Sequence, residues 1–131
     1  MFVDILRLFV MFLLVLANAF FVAAEFSLVS VRKTRIAELV AHGHTSAEAV
    51  QKAIDKPDQV IAATQLGITL ASLGLGWLGE PALSHFIYPL VRLFPGQIQE
   101  TVSHSISAAI AFILITFLHV VVGELAPKSI A

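Results

Sequence analysis

Glu124 and Pro127 stand at the end of a long uncharged stretch, and that combination marks the first place where chemistry is possible. The segment reads His119-Val-Val-Val-Gly-Glu-Leu-Ala-Pro-Lys128. Residues 101–123 contain no Asp, Glu, Lys or Arg, and at about 1.5 Å per residue they cross the ~30 Å hydrocarbon core of a bilayer. Glu124 therefore sits at or just inside the membrane boundary, where an ionised carboxylate is costly without a partner. A helix continuing through Pro127 loses one N–H, and the proline ring pushes on the carbonyl four residues back, that of Gly123. A released backbone oxygen then lies beside a carboxylate, with Lys128 close behind. This is the outline of a cation site.

Helical phase supplies further oxygen groups. Gln65, Thr69, Ser72, Gly76 and Gly79 follow steps of four, three, four and three, which holds them within a narrow face at about 100° per residue. Thr64, Gly67, Ala71 and Gly74 form a neighbouring small-residue stripe. One face is expected to line a polar cavity, and small residues equally serve to let membrane helices approach closely. Asn18 and Glu25 are seven residues apart and share a helix face, while Ser27 falls on another. Glu25 either contributes to a site or snorkels to the interface near Arg32. His119, one turn before Gly123, either serves the site or a proton relay, or bonds across a helix interface. His42, His44, His85 and His104 read as solvent-facing, and no histidine pair has the surroundings of a zinc site. The candidate ligands Glu25, Ser27, Thr69, Ser72, Gly123 and Glu124 all offer oxygen and none offers sulfur, which suits hard cations such as Mg²⁺ or Ca²⁺.

These groups need apolar helices to hold them. With 58% hydrophobic and 13% charged residues, and a mean hydropathy of +0.91, the chain is far poorer in charge than a soluble domain, at about a quarter. Residues 8–31 (interrupted only by Glu25), 60–78 and 101–123 are each long enough to span a bilayer. Ala17-Asn18-Ala19 resembles a signal-peptide cleavage site, but the apolar run continues past it, so a retained helix is expected. Arg32, Lys33, Arg35, Lys52 and Lys56 lie between the first two spans and only Arg92 between the second and third. The positive-inside rule then places the first loop and the chain's end in the cytoplasm and the N-terminus outside.

Within that loop, residues 32–42 and 45–56 read as two short amphipathic helices. Gly43 is the stop of the first, and Thr45-Ser-Ala-Glu48 a capping box for the second. Pro81, Pro89, Pro95 and Gly96 are expected to break the chain into an extracytoplasmic connection with one short helix around residues 82–88. The expected fold is an all-α membrane protein of three spanning helices with two short cytoplasmic helices after the first. A net charge of −1 argues against nucleic acid as a partner, and the lack of cysteine excludes disulfides and thiolate chemistry. Neither a His-Glu-x-x-His nor a Gly-x-Ser-x-Gly motif occurs, so no enzyme is expected.

Three stretches in order carry a resemblance: Ala-Asn-Ala-Phe-Phe-Val-Ala-Ala-Glu-Phe-Ser (17–27), Gln-Leu-Gly-Ile-Thr-Leu-Ala-Ser-Leu-Gly (65–74) and Gly-Glu-Leu-Ala-Pro-Lys (123–128). Together they resemble the CorC/CNNM (cyclin-M) transmembrane domain, whose bacterial members are often called hemolysin-like, and the likeness covers residues 1–131. The resemblance implies Mg²⁺ transport, mainly efflux, by a homodimer in the bacterial plasma (inner) membrane. It implies an ion bound among the three spanning helices in the inner half of the bilayer, with Mg²⁺ as the bound ion and no organic cofactor in this segment. Glu124 matches the acid of the family's Gly/Ser-Glu-x-x-Pro-Lys motif, with Gly123, Pro127 and Lys128 forming the kink. Departures fall at Ala24, where many members have serine, and at Ile68, Thr69 and Ser72, where many have asparagines. Ser27, Thr69 and Ser72 are the expected replacements. Family members continue into CBS domains and a small CorC-type domain, so a chain stopping at Ala131 looks like a fragment or truncated gene. The alternative reading is a membrane regulator or Mg²⁺ sensor that does not conduct.

Overall fold

The apolar runs all fold as helix, and the few charges collect at their ends. In the computed structural model, which describes residues 2–93 and 100–131, the order is α1 (Phe2–Ser30), α2 (Lys33–Ala41), α3 (Thr45–Ile54), α4 (Pro57–Val91) and α5 (Glu100–Val120). A π-helical turn (Val121–Leu125) and α6 (Ala126–Ile130) complete it. Among the described residues three stretches are long and apolar enough to cross a membrane: Val3–Ser30, Pro57–Val91 and Glu100–Ile130.

Lipid tails are as apolar as leucine, so what joins these helices is close packing of small residues. Three glycines of α4 do this against α1 running the other way. A Cβ added at Gly67 would lie 2.6 Å from the Phe21 ring, one at Gly74 would lie 3.2 Å from Leu14, and one at Gly79 would meet Met11 and Ile115 at 3.1–3.2 Å. On α5 the buried residues Ser103, Ser107, Ala111 and Ile115 recur every four positions, a narrow stripe that faces α4. Val15, Leu75 and Ile115 form the centre where the three helices meet. Large side chains such as Phe9, Phe20, Leu73 and Trp77 point outward, as a lipid-facing surface requires.

Two sequence expectations are corrected here. The helix does not break at Pro81 or Pro89; α4 runs through both to Val91. Membrane helices tolerate proline when neighbours hold them, and here Ala82, Ile87 and Val91, beyond Pro81, are buried; the last two pack with Ala111 of α5. The Ser84 hydroxyl also donates to the Pro81 carbonyl at 3.2 Å. At about 1.5 Å per residue the helix is roughly 50 Å long and outruns the bilayer core. Pro95 and Gly96 lie outside the described residues. The capping box is also absent: α3 begins at Thr45 with His44 in the capping position and no side-chain cap bond. Gly43 does end α2, with φ of +81°, a left-handed conformation that glycine adopts without penalty.

Candidate cation site

Pro127 sets the local geometry. Without an N–H it cannot close an α-turn onto Gly123. Just before it the chain widens into the π-helical turn, with the Ala126 N–H reaching the Val121 carbonyl. Widened turns of this kind recur at functional sites. Pro127 takes one donor away from the Gly123 carbonyl, but that carbonyl is not left open. Asn18 of α1 donates to it through Nδ2 at 3.0 Å. Asn18 is completely buried, and a Cβ on Gly123 would come within 2.8 Å of that Nδ2. Glycine at 123 is therefore demanded by the approach of a side chain from another helix. The second polar atom of Asn18, Oδ1, is buried and has no hydrogen-bond partner among the described residues. Such orphaned amide oxygens are uncommon in protein interiors.

Beside this turn a cleft of about 210 Å³ opens between α1, α4 and the end of the third span, lined by Val22, Glu25, Phe26, Gln65, Ile68, Glu124 and Lys128. Two carboxylates thus face one space. Glu25 is fixed by Thr64, whose hydroxyl donates to Oε2 at 2.7 Å. That hydroxyl also lies 3.0 Å from the carbonyls of Val60 and Ile61, but its single proton serves the shortest contact best. Glu124 pairs with Lys128 one turn later at 3.9 Å, with 36% and 47% of the two side chains exposed. So long and open an ion pair holds its partners weakly. Two carboxylates against one ammonium leave the cleft net negative, with the Gln65 amide as a neutral oxygen donor and Val22, Phe26 and Ile68 as apolar walls.

The expected ligands divide. Glu25 and Glu124 meet in the cleft, and Gly123 lies beside it with its oxygen taken by Asn18. Ser72 is drawn away: its hydroxyl meets His119 Nε2 at 3.0 Å, so His119 bonds across a helix interface. Thr69 and Ser27 are exposed and outside the cleft lining. Hence the polar stripe of α4 does not line one cavity; Gln65 faces the cleft, Ser72 faces His119, and Gly79 packs. Asn18 and Thr64 carry contacts beyond those of the expected ligands. The seven-residue spacing of Asn18 and Glu25 pointed to the first, whereas Thr64 was hidden in a stripe of small residues. Among the described residues no three His, Asp or Glu side chains converge as a metal cluster. A cation here would therefore have two carboxylates and neutral oxygens as its protein ligands, a donor set that fits a hard divalent ion retaining water.

Comparison with known proteins agrees with this architecture. Residues 9–131 match the model of the cyclin M transmembrane N-terminal domain. The chain is 48% identical to the UPF0053 protein YhdT of Bacillus subtilis over 98% of its own length and 27% of that protein's. It is 46% identical to YugS of the same organism, over 97% of this chain and 29% of the relative. An uncharacterized protein of Mycobacterium tuberculosis, Rv1841c, is 39% identical over 91% of this chain and 33% of its own length. The chain thus spans about a third or less of the relatives it matches. No solved structure matches it. With three apolar spans, a proline-widened third helix and a family match over nearly its whole length, this chain is a multi-pass membrane domain and belongs to the cyclin M transmembrane family.

Proposed function

We propose that this domain carries divalent cations across the membrane, with Mg²⁺ as the ion and efflux as the direction. The observation that carries the reading is the meeting of Glu25 and Glu124 in one cleft beside the widened turn. An ionised pair at membrane depth is costly unless it binds something positive, and Lys128 neutralises only one of the two. A divalent ion entering the cleft displaces Lys128 from Glu124 and takes both carboxylates, with Gln65 contributing an amide oxygen. Gly123 adds its backbone oxygen if Asn18 turns away from it. Thr64 acts as a positioning residue by holding Glu25 toward the cleft. Ser27, Thr69 and Ser72 lie further from this centre and would serve as ligands only after the helices move.

The basic residues around α2 and α3 support an orientation with that end, and the cleft near it, in the cytoplasm. In that orientation the site meets the cytoplasmic Mg²⁺ pool of a bacterial inner membrane. The family membership supports a homodimer whose full-length form continues into CBS domains. Ion flux in sealed vesicles tests the reading directly. The protein and a full-length relative such as YhdT are reconstituted, and Mg²⁺, Ca²⁺ and Mn²⁺ are offered in turn. Mg²⁺ flux that disappears in Glu25→Gln and Glu124→Gln is the expected result. Mg²⁺ binding without flux would replace the transporter with a sensor, and neither binding nor flux would end the proposal.

A further inference from the structure

Beyond the cleft, a second groove with apolar walls and a few polar groups runs between the third span and α4 toward the opposite end of the bundle. This groove, of about 330 Å³, has Leu75, Phe112 and Ile115 as apolar walls, with Ser72, Glu80, Thr116 and His119 as its polar groups and Gly76 on its edge. Glu80 also lines an adjoining hollow of about 420 Å³ with Ser84, His85, Tyr88 and His104. One carboxylate thus belongs to two neighbouring spaces. Glu80 is half-buried on α4, inside the candidate span Pro57–Val91, and among the described residues it makes no hydrogen bond or ion pair. Sixteen residues separate it from Thr64, which puts it roughly 24 Å along the axis from the level of Glu25. An ionisable group so placed marks a pathway more often than a structural contact.

Gly76 points the same way. Unlike the three glycines that receive a neighbour, it would meet nothing within 4 Å if given a Cβ, so its smallness serves the groove and not a packing seam. His119 reaches both the groove and the widened turn beside the cleft. His119 bonds Ser72 on the groove side, while its ring lies 3.2 Å from where a Cβ of Gly123 would be. The same histidine therefore touches the widened turn and lines the groove.

We propose that this groove is the route by which a divalent cation passes between the Glu25–Glu124 cleft and the far side, with Glu80 as the carboxylate that receives it and the Ser72–His119 bond as the closed layer between. The inference rests on the transport reading above, but its test does not depend on transport alone. The chain has no cysteine, so single cysteines report cleanly. Gly76→Cys, Thr116→Cys and the outward-facing control Leu73→Cys are expressed in intact cells. A charged, membrane-impermeant thiosulfonate is added from the side opposite α2 and α3, and Ser46→Cys in that loop serves as the sidedness control. A water-filled groove gives labelling at 76 and 116 and none at 73 or 46. No labelling at 76 and 116, or equal labelling at 73, overturns the route. Glu80→Gln then tests the carboxylate. Mg²⁺ affinity should stay within about twofold of the parent while flux falls by about tenfold or more, because the change lies on the path and not at the cleft. Undiminished flux in Glu80→Gln, or affinity lost with it, overturns the assignment of Glu80. If the parent protein neither binds nor carries Mg²⁺, the proposed function fails while the labelling still decides whether the groove is open.

Discussion

Gly67 and Gly76 sit on the same helix, nine residues apart, and have opposite uses. Gly67 receives the Phe21 ring at 2.6 Å from where a Cβ would be, and Gly74 and Gly79 receive Leu14 and Met11 in tight contacts of 3.2 Å. Gly76 receives nothing and borders a groove that also holds Ser72 and Glu80. A membrane helix therefore spends small residues in two ways: some bring backbones together, where van der Waals contact joins helices, and others keep polar space open. Gly123 combines the first use with a third. It admits the Asn18 amide and occupies the turn that Pro127 widens.

That contrast is broken most severely at Gly123. Gly123→Ala puts a methyl group against a fully buried amide that is hydrogen-bonded to this same residue. Overpacking plus a lost buried bond is expected to cost about 2–4 kcal/mol, read as an earlier midpoint in detergent-denaturant titration. A midpoint equal to the parent's would mean that Asn18 does not dock on this turn. Gly67→Ala comes next. The Phe21 ring can swing at its tip, so about 1–2 kcal/mol is expected in the same titration.

Pro127→Ala acts on the backbone of the same turn as Gly123. Alanine restores an N–H able to reach the Gly123 carbonyl, and the helix is expected to tighten and straighten. Thermal stability without ion should equal or exceed the parent's, while Mg²⁺ affinity falls because a second donor now covers the carbonyl. Strain kept for function behaves in this way. Unchanged affinity and unchanged stability together would mean that the widened turn does not build the site. Smallest of all is Gly76→Ala, expected within about 0.5 kcal/mol of the parent because no neighbour is met. A large loss of stability there would turn the groove into a packing seam and remove the distinction from Gly67.

Much of the frame is legible in the sequence because hydrocarbon imposes one local rule: uncharged runs of sufficient length become helices. The three spans, the stop at Gly43 and the distortion before Pro127 all follow from nearby residues alone. What escapes is pairing over distance. Asn18 and Gly123 are 105 positions apart, and no spacing along one helix reveals that the amide of one fills the carbonyl of the other. Thr64 shows a second limit, since a residue small enough to pack is also polar enough to hold Glu25. The continuous α4 shows a third. Prolines punctuate a helix in water, but Pro81 and Pro89 stand where packing against α5 carries the helix through.

Calorimetric titration with Mg²⁺ decides whether the cleft of Glu25 and Glu124 binds a divalent cation. The parent protein and Glu124→Gln are compared at equal membrane insertion and equal helical content. The substitution keeps the shape of the side chain and removes the charge that a hard cation requires. Saturable Mg²⁺ binding is expected in the parent and none measurable in Glu124→Gln; binding undiminished in the variant would contradict a cation site in this cleft.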